Sequence, residues 1–199
     1  TGLGAGAGRG TGLEHHAGME TPHTHHTTEP PSAVRLTRYT KAEQREILGD
    51  GEDPFGVADA GLTWLPKEDH FGIRHEGRLV AHAGLLRLPV SVDGTATEVV
   101  GVGGVAVAPD VRGQGLARRV VAAALDHART LGPDHALLFC RPPLVALYER
   151  LGWHPLDTDV AVEQPGDSVV VMPLRTMVTP LTNSANWPQG HVRLHSLPM

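Results

Sequence analysis

The sequence predicts an α/β (α+β) domain built on a mixed, mostly antiparallel sheet flanked by helices. Three observations predict it: β-type patterns joined through Glu76-Gly77 and Asp93-Gly94, one strongly helical pattern over residues 115–131, and a short apolar run after that helix. The chain has 199 residues, 40% hydrophobic and 20% charged, which suits one core of good size and therefore one folded domain.

Residues 1–32 are Gly-rich and then His/Thr/Pro-rich, with almost no large apolar side chains to offset the entropy of ordering, so this segment is expected to be a disordered tail. It carries His15, His16, His23, His25 and His26, a cluster read as solvated and able to bind metal only adventitiously; no metal is assigned to the protein. Met19 is a candidate alternative start.

The folded region, 33–175, opens with a short strand at 34–39. A helix follows, with Thr40 and Glu43 spaced for a capping box and with Gly49 and Gly51 ending it. A loop-rich stretch over 53–69 leads to strands at 71–75 and 78–90, joined as a hairpin. Asp93-Gly94 is a second hairpin turn and delivers a long Val/Ala/Gly strand, 97–108, stopped by Pro109-Asp110. In the 115–131 helix Leu116, Val120, Ala124, Ala128 and Leu131 share one face, and Gly132-Pro133 ends it. A strand at 136–140, a helix from Pro142 or Pro143 to Leu151 capped by Gly152, and a strand at 168–174 complete the domain. Residues 176–199 are expected to be a C-terminal tail covering the acceptor site.

Composition narrows the function classes. A net charge of −5 with no basic stripe disfavours nucleic acid and anionic membranes as partners. The single cysteine, Cys140, excludes an intrachain disulfide, and no apolar run reaches the roughly 20 residues that span a bilayer. With no secretory signal pattern at its start, the chain is expected to be cytoplasmic.

The informative segment is Val111-Arg112-Gly113-Gln114-Gly115-Leu116-Ala117, between the long strand and the long helix. Its glycines let the backbone turn tightly and approach a ligand, and the helix behind them presents unpaired N–H groups and the positive end of its dipole, which suits a pyrophosphate. A structural turn with no ligand is the alternative. Leu116-Ala117 stand where a Walker motif needs Lys and Ser/Thr, which excludes a P-loop. Gly101-Val102-Gly103-Gly104 loosely fits a dinucleotide fingerprint but lies inside a strand, with Pro109 before any helix.

Arg112-x-x-Gly115-x-Ala117, placed after a strand ending Val-Ala-Val-Ala-Pro-Asp, resembles the R/Q-x-x-G-x-G/A motif of the GNAT acetyltransferases. The stretch Ala146-Leu147-Tyr148-Glu149-Arg150-Leu151-Gly152-Trp153 resembles their later tyrosine helix, so the likeness covers about residues 34–174. The resemblance implies a GNAT fold with acetyl-CoA as cosubstrate. It implies that backbone groups of Arg112, Gly113, Gln114, Gly115, Leu116, Ala117 and Arg118 hold the pyrophosphate, and that Val105, Ala106 and Val107 bind the pantetheine arm and polarise the thioester carbonyl. Tyr148 is implied as the general acid that protonates the departing thiolate. The acceptor amine would attack directly, through a tetrahedral intermediate, after losing a proton; Glu98, His82, His75, Asp53 and Asp59 are the candidate bases, with Glu98 carried forward. Cys140 is read as a small core residue rather than a nucleophile.

Within the superfamily the chain is similar to the aminoglycoside 2′-N-acetyltransferase branch, through the stretch Arg78-Leu-Val-Ala-His-Ala, the Gly104-to-Gln114 run, Gly152-Trp153 and the late Val-Val-Val-Met-Pro. That likeness is the source of a link to antibiotic resistance. Gly103 and His191 stand where that branch carries acidic residues, so a less cationic amine is expected. The acceptor is then a primary amine of a small molecule, with an amino sugar or antibiotic among the fitting classes. A peptide or protein N-acetyltransferase and a non-catalytic acyl-CoA-binding module remain as alternatives. The resemblance also implies a homodimer.

Overall fold

A computed structural model describes residues 31–183 and 185–199; the His-rich segment expected to be disordered lies outside them. Strand β1 (Ala33–Leu36) leads into helix α1 (Lys41–Leu48). The capping box forms as expected: Thr40 Oγ1 accepts from the Glu43 N–H at 3.2 Å, and a Glu43 carboxylate oxygen accepts from the Thr40 N–H at 2.9 Å.

Strands β2 (Asp69–His75), β3 (Arg78–Val92) and β4 (Thr95–Val107) form the antiparallel meander. Both turns have two consecutive positive φ values, at Glu76-Gly77 (51° and 80°) and Asp93-Gly94 (47° and 79°), which is the twist that two-residue hairpins require. Helix α2 (Leu116–Ala128) buries Leu116, Val120, Ala124 and Ala128 against the sheet, the stripe read from the 3.6-residue period. Strand β5 (His135–Cys140) and helix α3 (Val145–Arg150) follow, with a 3₁₀ turn at Pro142–Leu144 where a longer helix was expected.

The C-terminal third departs from expectation. The strand expected over 168–174 is shorter, β8 (Ser168–Val171), ending before Pro173, which cannot donate to a ladder, and a separate strand, β9 (Arg175–Pro180), follows it. Two short strands, β6 (His154–Pro155) and β7 (Val160–Gln164), precede them, and β10 (Val192–Leu194) comes last. Within 176–199, expected to form a tail, the stretches in β9 and in β10 pair in the sheet. Its order is β6-β9-β5-β4-β3-β10-β7-β8, with β2 also on β3 and β1 on β2. Strand β3 carries β4 along one edge; its other edge takes β2 over residues 78–85 and β10 over 90–92. The last segment is also stitched on by Asp93, whose N–H donates to His191 O (2.9 Å), and by Leu65 N–H donating to Pro198 O (2.6 Å).

Apolar side chains cover both sheet faces, which explains why β3 reads as a near-continuous apolar run instead of an alternating one. One core holds the inner side of α2 with Leu79, Ala81 and Leu85; the other holds Leu86, Leu88 and Val90 with Val162, Val192 and Leu194. No helix among the described residues is long and apolar enough to cross a membrane. Because Leu194 is fully buried, Leu194→Ala is expected to cost ~2–4 kcal/mol, read as a lower denaturation midpoint. A loss under ~0.5 kcal/mol would mean that this segment does not belong to the core.

Candidate active site

Strands β4 and β5 pair in parallel at two positions, Val100↔Ala136 and Gly101↔Leu137. Beyond them each strand stays attached to its other neighbour, β4 to β3 as far as Val107↔Ala81 and β5 to β9 as far as Cys140↔Arg175. A gap therefore opens between Val102–Val107 and Leu138–Cys140. On the gap side the β4 backbone has no strand partner, which leaves peptide groups free to bond a ligand.

A bulge sharpens this edge. The β3–β4 register slips between His82 and Gly84, so Gly104 and Val105 together oppose Ala83, and Gly104 takes a φ of 59°. His82, 1% exposed, fixes the bulge. Burial pushes its pKa down to about 4, so the ring is neutral at pH 7; Nδ1–H donates to Gly104 O at 2.8 Å and Nε2 accepts from His70 Nδ1–H at 2.9 Å. The Tyr39 ring stacks on it at 3.7 Å, with 9° between the planes. His82 thus positions the β4 backbone; both of its nitrogens are engaged, and it is not a free base.

Facing this edge is the Gly-rich turn. Gly113 (φ 78°) and Gly115 (φ 76°) hold left-handed backbone that a side chain would strain, and α2 starts behind Gly115 without a side-chain cap, so its first N–H groups stay available. The turn and the Val105–Val107 edge line one cavity of about 610 Å³. Arg112, Arg118, Arg141 and Arg150 also line it, and among the described residues no carboxylate does. Four guanidinium groups and a helix N-terminus fit a pyrophosphate diester, and the strand edge fits a pantetheine arm. Gln114, expected in this set, is not among the lining residues.

A second cavity, about 370 Å³, lies on the other side of the gap and shares Phe55, Val105, Arg141, Leu144 and Tyr148 with the first. Tyr148 is buried at this junction, and burial raises its pKa well above that of an ordinary phenol, so it is protonated at neutral pH and able to donate. Cys140 lines the second cavity with its thiol pushed up to about 11 by burial and its Sγ 3.8 Å from Met177 Sδ, as fits a core residue and not a nucleophile.

The remaining acid–base candidates are not brought together. Glu98 lines neither cavity; it lies opposite Pro89 near the start of β4, away from Val105, and accepts from Arg87 Nε at 3.1 Å. Asp53 accepts the N–H groups of Val57 and Ala58, both at 2.9 Å, and these backbone bonds lower its pKa. Asp59 sits on an exposed 3₁₀ turn and His75 is exposed beside a hairpin turn. Side chains that the sequence did not single out, Phe55, Trp64, Lys67, Arg141 and Met199, line the second cavity instead.

A mixed sheet parted at β4 and β5, with an anion-ready turn in front of α2, defines a class: transferases that take an acyl group from a coenzyme A thioester. Residues 50–156, just over half of the chain, match the acetyltransferase (GNAT) domain family, and the chain belongs to that family as an acetyl-CoA-dependent N-acetyltransferase. Two curated proteins are similar to it. The uncharacterized N-acetyltransferase YjgM of Escherichia coli (strain K12) is 27% identical over 136 residues, which are 64% of this chain and 77% of that protein. Mycothiol acetyltransferase of Saccharomonospora viridis is 24% identical over 159 residues, 67% of this chain, and the match spans 50% of that protein's length. Among solved structures, the GNAT family N-acetyltransferase YhbS of Escherichia coli, in complex with CoA, superposes with a TM-score of 0.56 at 23% identity, over 86% of this chain and 94% of that one.

His82 gives the fold a pH signature. Its folded pKa lies below the unfolded value of about 6.5, so its contribution is intact above about pH 6.5 and is lost as the unfolded chain takes up the proton first. The loss reaches ~3 kcal/mol by about pH 4, where the folded protein also protonates. Denaturant titrations at pH 7.5 and 4.5 should show a smaller pH-dependent difference for His82→Gln than for the wild type; equal differences would refute the assignment.

Proposed function

We propose that the chain acetylates a primary amine of a small molecule, with acetyl-CoA in the cavity lined by the Gly-rich turn and the acceptor in the cavity across the gap. The observation that carries this reading is that the two cavities meet at Val105 and Tyr148. Acetyl-CoA supplies an electrophilic thioester carbonyl; the neutral amine attacks its carbon to give a tetrahedral intermediate, the nitrogen passes its proton to water, and the C–S bond then breaks. The N–H groups along Val105–Val107 are placed to stabilise charge on the carbonyl oxygen. Tyr148 donates its proton to the departing sulfur, and solvent restores it. Arg112, Gly113, Gly115, Leu116, Ala117 and Arg118 hold the pyrophosphate.

The size of the acceptor cavity, about 370 Å³, favours a small molecule. Trp64 and Leu174 line it, and Met199 does too, which gives that residue of the 176–199 segment a covering role. The acceptor cavity does not suit a polycationic aminoglycoside. Among the described residues the lining includes Lys41, Lys67 and Arg141 and no carboxylate, whereas a polycationic sugar needs acidic partners.

Thiol release from acetyl-CoA with a panel of small amines and short Lys peptides tests the reading. Tyr148→Phe should lower kcat about 100-fold with little change in the KM for acetyl-CoA, the pattern of a group used only in the transition state. Gly115→Val should instead raise that KM about tenfold, because its left-handed backbone costs a branched residue ~1–2 kcal/mol. Turnover with the peptides alone would overturn the small-molecule acceptor. An unchanged rate in Tyr148→Phe would remove the tyrosine from the chemistry.

A further inference from the structure

Lys67 is seated in the acceptor cavity by glycines on two strands. Gly84 of β3 and Gly103 of β4 are cross-strand partners, and a Cβ on either would collide with the lysine stem; at Gly103 it would lie 2.6 Å from Lys67 Cε and 3.2 Å from Nζ. The two missing side chains form a trough across the sheet, and the aliphatic stem lies in it. The ammonium group is delivered beside Gly103, one residue before the bulge that shapes the catalytic edge of β4.

This cation lacks a counter-charge. Among the described residues no salt bridge reaches Lys67, and the charged residues that share its cavity, Lys41 and Arg141, are also cationic. Burial lowers its pKa, the mark of an ammonium that has lost water without gaining a partner. The rest of the lining is mainly apolar, with Trp64, Leu138, Phe139, Leu174 and Met199. Holding an unpaired ammonium in such surroundings costs free energy that an anionic ligand would return.

Resting on the reading that this cavity takes the acceptor, we infer that the acceptor amine also carries a carboxylate and an apolar side chain, the chemistry of a free apolar amino acid. Lys67 pairs with the carboxylate, Trp64 and Leu174 face the apolar group, and the amine is directed toward Val105 and Tyr148. The trough gives the two glycines a purpose: they trade two side chains for one fixed cation.

The test compares ligands that differ only in the carboxylate. Calorimetry on the CoA-saturated protein would measure N-acetyl-leucine against N-isopentylacetamide, and N-acetyl-phenylalanine against N-phenethylacetamide. In parallel, thiol release would give kcat/KM for leucine against isopentylamine. The wild type should favour the carboxylate member of each pair at least about tenfold, as expected for a charge-assisted bond in a partly buried site. In Lys67→Met, whose side chain fills the same trough, that ratio should collapse to within about threefold, while Lys67→Arg keeps part of it. Absence of any carboxylate preference in the wild type would overturn the inference without any variant. A drop in turnover by the same factor for both members of a pair in Lys67→Met, with product binding unchanged, would make Lys67 the general base and equally overturn it. The small-molecule reading fails separately, through turnover confined to peptides, while the binding ratios still decide the role of Lys67.

Discussion

The parting of β4 from β5 after two paired residues is the constraint on which the rest of the molecule depends. A sheet gains by closing every ladder, and an unpaired strand edge inside a domain is costly unless something bonds to it. Here the separation is enforced from outside the gap. Strand β3 holds β4 through a long antiparallel ladder and β9 holds β5 through six paired residues, so the two strands cannot close without breaking stronger pairings. The backbone left over faces both cavities.

Everything chemical is arranged around that edge. The bulge at Gly104 turns the β4 backbone, and His82 holds it there through a neutral imidazole whose two nitrogens are both engaged. Helix α2 aims its free N–H groups at one side of the gap, and α3 carries Tyr148 to the junction, with Arg118 tying the two helices through the Arg150 carbonyl at 3.1 Å. Electrostatics run one way: the chain has a net charge of −5, yet among the described residues both cavities are lined by cations and by no carboxylate. The positive lining is a local feature matched to anionic ligands.

Much of the fold was legible because its signals are local. The capping box at Thr40 and Glu43, the hairpin turns at Glu76-Gly77 and Asp93-Gly94, and the α2 stripe from Leu116 to Ala128 each depend on neighbours within a few residues, and all appear where expected. The C-terminal strands were not legible. Strand β10 has three residues, and its place between β3 and β7 rests on pairings with residues about 30 and 100 positions away. No local pattern of Val192, Arg193 and Leu194 encodes such partners.

The same division runs through the site. By itself the sequence determined the anion-ready turn, since Gly113 and Gly115 before an amphipathic helix suit a phosphate wherever the domain places them, and it marked Tyr148 through the company of Leu151-Gly152-Trp153. Tertiary structure alone decided which charged groups face the gap. It removed Glu98 to the far end of a strand beside Arg87 and brought in Lys67 from a loop with no recognisable pattern. It also gave Gly84 and Gly103 their meaning, because a lysine stem lying across two strands appears only when those strands are paired. Local preferences fix elements over a few residues, whereas a side chain's electrostatic surroundings are set by segments that meet only on folding.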